Sequence, residues 1–180
     1  MNKKVALCAV VGTWTLIVTF LAAGDAHYIG AHKCMICHKS PSRGDQWGKW
    51  SNGPHIKAFE TLKSEQSMAI AQKMGINDPT QADKCLKCHV TAHGAPAARL
   101  AADFSFDEGV GCEACHGPGS LYKSMQVMKA LRDGTQDPKE VEFNKGDEAT
   151  CLTCHNEESP TYRPFNYAKA WAKIAHNIPE

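Results

Sequence analysis

Gly109-Val-Gly-Cys112-Glu-Ala-Cys115-His116-Gly-Pro-Gly-Ser120 sets two cysteines one helical turn apart, follows them at once with a histidine, and brackets the set with glycines. The same Cys-x-x-Cys-His arrangement recurs at Cys34-Met-Ile-Cys37-His38, at Cys85-Leu-Lys-Cys88-His89 and at Cys151-Leu-Thr-Cys154-His155. The chain has 180 residues, nine cysteines and nine histidines. Cys8 lies near the N-terminus; every other cysteine belongs to one of the four motifs.

Paired cysteines serve several chemistries. Zinc takes sulfur and nitrogen ligands from CxxC pairs, but it does not require a histidine directly after the second cysteine. A thioredoxin-like CxxC comes singly on a βαβ pattern, which is absent here. Vicinal disulfide loops account for the cysteines and leave the histidines unexplained. CxxCH is the attachment motif of c-type haem. The two cysteines tether the porphyrin through thioethers and the adjacent histidine is the proximal iron ligand. The reading is four covalent haems on Cys34, Cys37, Cys85, Cys88, Cys112, Cys115, Cys151 and Cys154, with His38, His89, His116 and His155 on the irons.

That reading sets the expected architecture: a small multihaem c-type cytochrome wrapped around its haems. Small chains bury little apolar surface unaided, so the porphyrins form the core and the covalent links act as staples. The shortest interval between motifs, Cys85 to Cys112, suggests that the second and third are neighbours. The glycines around the third motif are read as tight turns beside a porphyrin.

Residues 1–26 read differently from the rest. Lys3 and Lys4 precede an uncharged apolar run from Val5 to Ala23, and small residues follow. This is the layout of a secretory signal peptide, with cleavage after Gly24 or after Ala26. The run is also just long enough to be an uncleaved anchor. Residues 27–180 form the tetrahaem domain, placed in the periplasm or outside the cell with no membrane contact after cleavage. Disulfides are the default expectation for an exported chain, and the motif histidines override it. Net charge is +1 with no basic block, so nothing points to nucleic acid.

A low-spin haem needs a second axial ligand, usually His or Met. Five histidines lie outside the motifs: His27, His32, His55, His93 and His176. Asn52-Gly53-Pro54 reads as a helix start, with His55, Phe59 and Leu62 on one apolar face up to Gly75. His55 is therefore the foremost distal candidate. His93 follows its own motif too closely to reach round that haem and is assigned to a neighbouring one. His176 closes a helical stretch carrying Tyr167, Trp171 and Ile174 on one face. His27 and His32 are placed to serve this chain or a second copy. A helix capped by Ser120 carries Leu121, Met125, Met128 and Leu131, read as core packing ahead of methionine ligation.

The run Cys34-x-x-Cys37-His38-Lys39, Trp50-x4-His55-x-Lys57-Ala58, Cys85-x-x-Cys88-His89-Val90 and Gly109-Val-Gly-Cys-Glu-x-Cys-His-Gly-Pro-Gly119 resembles the tetrahaem cytochrome c-554 family. That family includes the electron acceptor of hydroxylamine oxidoreductase. The resemblance spans residues 28–119 and, beyond them, the fourth motif. It implies a mostly helical, loop-rich chain around stacked haem pairs, the four motif histidines as proximal ligands, His55 as a distal one, and electron transfer to redox partner proteins. Two departures stand out. The family's distal histidine soon after the third motif is missing from Tyr122–Lys129, and another expected before the fourth motif is missing from Phe143–Thr150. The chain is also similar to tetrahaem cytochromes that polymerise outside the cell by ligation between subunits. The function expected is a non-enzymatic electron relay. The alternatives are a haem enzyme with one five-coordinate iron acting on a small nitrogen species, and a filament subunit.

Overall fold

A computed structural model describes residues 25–177. The apolar N-terminal run and Cys8 lie outside the described residues. Nine short helices are formed among them: α1 (Ala31–His38), α2 (Gln46–Ser51), α3 (Ala58–Thr61), α4 (Glu65–Lys73), α5 (Asp83–His89), α6 (Cys112–His116), α7 (Met125–Arg132), α8 (Glu148–Leu152) and α9 (Tyr167–Ile174). No strand occurs among the described residues; one parallel bridge joins Tyr28 to Leu100. None of these helices is long and apolar enough to cross a membrane. The mainly helical, loop-rich class expected from the sequence is the class observed.

Three helical boundaries differ from the sequence expectation, each for a local reason. The stretch after Pro54 does not run unbroken to Gly75. A 3₁₀ turn at His55–Lys57 leads into α3, and Ser64 then starts α4 afresh by accepting the Ser67 N–H at 3.2 Å, the usual role of a serine N-cap. The cap of α7 is Ser124, whose hydroxyl accepts the Val127 N–H at 3.2 Å. Ser120 is engaged elsewhere, accepting the His27 N–H at 2.8 Å. Helix α9 is capped by Asn166 and stops at Ile174 as Ala175 turns extended, so His176 lies just past the helix end.

Side chains alone make a thin core. The buried apolar residues are Ala26, Ile29, Ala31, Leu62, Ala71, Val90, Tyr122, Leu131 and Val141, three of them alanines. Only one compact cluster forms among the described residues: Tyr122, Leu131 and Val141, with Val127, Met128 and Phe143 packed on it. Met128 therefore packs as expected, whereas Met125 is exposed.

Buried polar groups join segments far apart in the chain. Glu113, 3% exposed, accepts the main-chain N–H groups of Ile29 (2.9 Å), Gly30 (2.8 Å) and Gly119 (2.6 Å). Thr91 bonds across to the third motif: its N–H reaches the Gly109 carbonyl at 2.9 Å and its hydroxyl accepts the Gly111 N–H at 2.7 Å. Gly109 has φ +67°, and a Cβ there would lie 2.8 Å from the His55 and Ile56 carbonyl oxygens. At Gly117, with φ +78°, a Cβ would lie 2.2 Å from the Glu142 carbonyl oxygen. These glycines admit neighbouring backbone, a more specific role than a turn beside a porphyrin. They also fix the loop carrying His55 against the third motif, since Val110 N–H donates to the His55 carbonyl at 3.1 Å.

Candidate haem-binding site

The four motifs sit on short helices. α1, α5 and α6 carry the whole of the first three, and α8 carries Cys151 with Cys154 and His155 in the turn beyond it. The i, i+3, i+4 spacing sets both sulfurs and the histidine of a motif on one side of a helical turn. All eight cysteines are half-buried and free, with no disulfide among the described residues. Burial, ahead of the neighbouring thiols, pushes Cys88 and Cys115 up to about 11.

The motifs pair in an order that spacing alone does not suggest. Helix α1 packs against α6, so the first motif meets the third, and the Cys154 thiol lies 3.9 Å from the Lys87 carbonyl, beside Cys88, so the second meets the fourth. A Lys87–Glu158 ion pair spans that second junction. The second and third motifs, expected as neighbours, touch through the Thr91 bridge to Gly109 and Gly111, while their sulfurs face other partners.

Three of the motif histidines are held in one tautomer. His89 Nδ1–H donates to the Ala58 carbonyl at 2.6 Å, His116 Nδ1–H to the Asn144 carbonyl at 2.8 Å, and His38 Nδ1–H to Gln46 Oε1 at 3.2 Å. Each acceptor is an oxygen without a proton, so the imidazole must donate, and its Nε2 lone pair is left free. This is how a ligating histidine is normally held. His155 is aligned differently, stacked on Phe165 at 4.8 Å and 16°. Phe143 stacks in the same way on His116, at 5.7 Å and 3°.

Two of the spare histidines meet motif histidines. The His55 and His155 ring centroids are 6.2 Å apart, and those of His176 and His116 are 5.9 Å apart. Two metal–nitrogen bonds of about 2 Å, plus half of each ring, would set two imidazoles that held one iron about 6 Å apart, so the two pairs fit that role. His176 Nδ1–H donates to the Ile174 carbonyl at 2.8 Å, freeing its Nε2 too. Burial, reinforced by His155, lowers the His55 pKa. Burial also lowers that of His116 against the pull of the Asn144 carbonyl. Both effects favour the neutral, ligand-competent ring.

The remaining three candidates are held by other groups. His32 donates through Nδ1 to Glu108 Oε1 at 2.6 Å and packs on Trp47 at 5.3 Å. His93 Nε2 lies 3.1 Å from Asp83 Oδ1, on the wall of a cleft that also has Cys88 and Cys154 in its lining. His27 is exposed, its backbone bonded to Ser120. Neither His38 nor His89 forms an imidazole pair of the kind made by His116 and His155, and all nine histidines are among the described residues. Sequence reasoning assigned no role to Glu113, Thr91, Gln46, Phe143 or Phe165. Only Glu113 carried a signal, as the unexplained acid inside the third motif.

Helical CxxCH elements, free paired sulfurs and imidazoles with freed Nε2 atoms fit covalent haem, and the molecule is a c-type cytochrome. A model of the family described as cytochrome c554 and c-prime matches residues 33–117. A cytochrome c-554 from Nitrosomonas europaea is 33% identical over 162 residues, covering 82% of this chain. The chain spans 65% of that relative's length. We found no matching solved structure. The chain belongs to the cytochrome c-554 family.

Proposed function

We propose that this chain is an exported tetrahaem cytochrome that relays electrons between redox partner proteins in the periplasm or outside the cell. Haem supplies reversible one-electron iron chemistry, and the chain holds it, sets its ligation and tunes it. Each motif's two cysteines tether one group, four in all. His38, His89, His116 and His155 ligate from the motif side. His55 opposes His155, and His176 opposes His116. The observation that carries this assignment is the pair of imidazole–imidazole spacings, 6.2 Å and 5.9 Å. The Nδ1–H bonds to the Ala58 and Asn144 carbonyls raise the basicity of the opposite nitrogen and so favour the ferric state. Contacts of the first motif with the third, and of the second with the fourth, support electron exchange within each couple.

The test is intact mass together with haem quantitation and EPR of the purified holoprotein. Four haems per chain and at least two low-spin irons are expected. Fewer than four covalent haems, or a chain that cannot be reduced and reoxidised by small electron carriers, would overturn the reading.

A second reading has its own observation. His38 and His89 lack a facing imidazole of the type made by the other two, which favours an open iron able to bind a small nitrogen species. Carbon monoxide binding to the reduced protein separates the readings. An unperturbed spectrum leaves a pure relay, and a shifted Soret band with high-spin ferric signals supports an open site.

A further inference from the structure

We infer that the leader is cut between Gly24 and Asp25, so that the mature protein begins at Asp25 and keeps Ala26. The inference rests on reading residues 1–26 as an export leader. Two small-residue patterns satisfy a leader peptidase, Ala22 with Gly24 and Gly24 with Ala26. They differ only in whether Asp25 and Ala26 stay on the mature chain.

The fold uses Ala26. Its side chain is 0% exposed. Its N–H donates to Glu142 Oε1 at 3.2 Å, and its carbonyl accepts from Arg99 Nε at 2.8 Å. Arg99 and Glu142 are themselves paired at 2.5 Å, so Ala26 closes a three-way junction between the N-terminal segment, the Arg99 loop and the Glu142 turn. From there the main chain is bonded without a break. His27 exchanges bonds with Ser120, Tyr28 N–H reaches the Arg99 carbonyl at 2.8 Å, Ile29 and Gly30 donate to Glu113, and Ala31 donates to Glu108 at 2.7 Å.

Cleavage after Ala26 would strip one end from this run. It would empty a buried site, leave Arg99 Nε–H without its carbonyl, and turn the His27 amide into a charged ammonium beside Ser120. Losing the fully buried Ala26 side chain and its main-chain bonds is the costly part. Cleavage after Gly24 places the new ammonium on Asp25, which is exposed, beside an acidic side chain that already acts on Arg99. A leader is removed from an unfolded chain during export, so the fold does not direct the cut. The fold instead shows which residues remain to be used.

Intact mass and N-terminal sequencing of the exported holoprotein test this. A chain beginning at Asp25 is the expected result. A chain beginning at His27 overturns the inference and leaves the export reading standing. A chain still carrying Met1 makes the N-terminal run an uncleaved anchor and overturns the inference, while leaving the electron-relay reading standing. As a second measurement, the leader is joined directly to His27 so that processing yields a form without Asp25 and Ala26. That form is expected to unfold at a lower temperature than the one starting at Asp25. Equal midpoints would refute the structural role given to Ala26.

Discussion

Glu113 offers the sharpest test of how this thinly packed chain holds together. Its two oxygens take N–H groups from Ile29, Gly30 and Gly119, and the side chain is 3% exposed. Replacing it with alanine leaves three inward-facing donors without an acceptor. Each buried orphan costs about 1–3 kcal/mol. Part of that is returned, because burial already works against the charge, raising the Glu113 pKa more than the backbone donors lower it. A net loss of about 3–5 kcal/mol follows for Glu113→Ala, a large share of the roughly 5–15 kcal/mol available to a small domain. Glu113→Gln keeps one oxygen and turns an NH₂ toward either Gly30 or Gly119, so it loses about 1–3 kcal/mol. The assay is guanidinium unfolding of the holoprotein followed by far-UV circular dichroism, with amide exchange at Gly30 and Gly119 as the local readout. Both amides lose protection in the alanine variant. An alanine variant within about 0.5 kcal/mol of the parent, the noise of a surface substitution, would refute the reasoning.

Other substitutions probe the ligand scheme and the local frame. His176→Ala converts one low-spin iron to a carbon monoxide-binding, high-spin one, read by EPR and by the reduced difference spectrum; an unchanged spin-state count would remove His176 from the ligand set. Gly109→Ala is destabilising by about 1–3 kcal/mol, since it places a Cβ at φ +67° against the His55 and Ile56 carbonyls, and urea unfolding measures it. Asp147, the cap of α8, has a lowered pKa because its carboxylate accepts from the Thr150 N–H and hydroxyl. A depressed carboxylate pKa stabilises the fold above the unfolded value and loses that contribution as pH falls through the folded one. Exchange at the Thr150 amide therefore quickens in acid beyond its intrinsic trend, and Asp147→Asn abolishes that pH step.

The chemistry of this protein was legible without coordinates because it is local. Two sulfurs and an imidazole proposed to hold one porphyrin fall within a single helical turn, so Cys112, Cys115 and His116 stand out in five consecutive positions, and the other three motifs do the same. Single helices were legible from periodicity around His55 and in the Tyr167–Ile174 stretch, while the mainly helical class was implied by the resemblance to the family. His55 and His176 were found as free imidazoles on apolar segments, but nothing local to either says which motif it faces. That depended on bringing His55 to His155 and His176 to His116 across long stretches of chain. The tertiary structure also decided that the first motif meets the third and the second meets the fourth, while Thr91 joins the second to the third, the two separated by the short interval between Cys85 and Cys112. Buried hydrogen bonds from Glu113 and Thr91, and backbone approaches at Gly109 and Gly117, impose that arrangement. Their partners lie in other segments, so the identity of the residue alone does not reveal the contact.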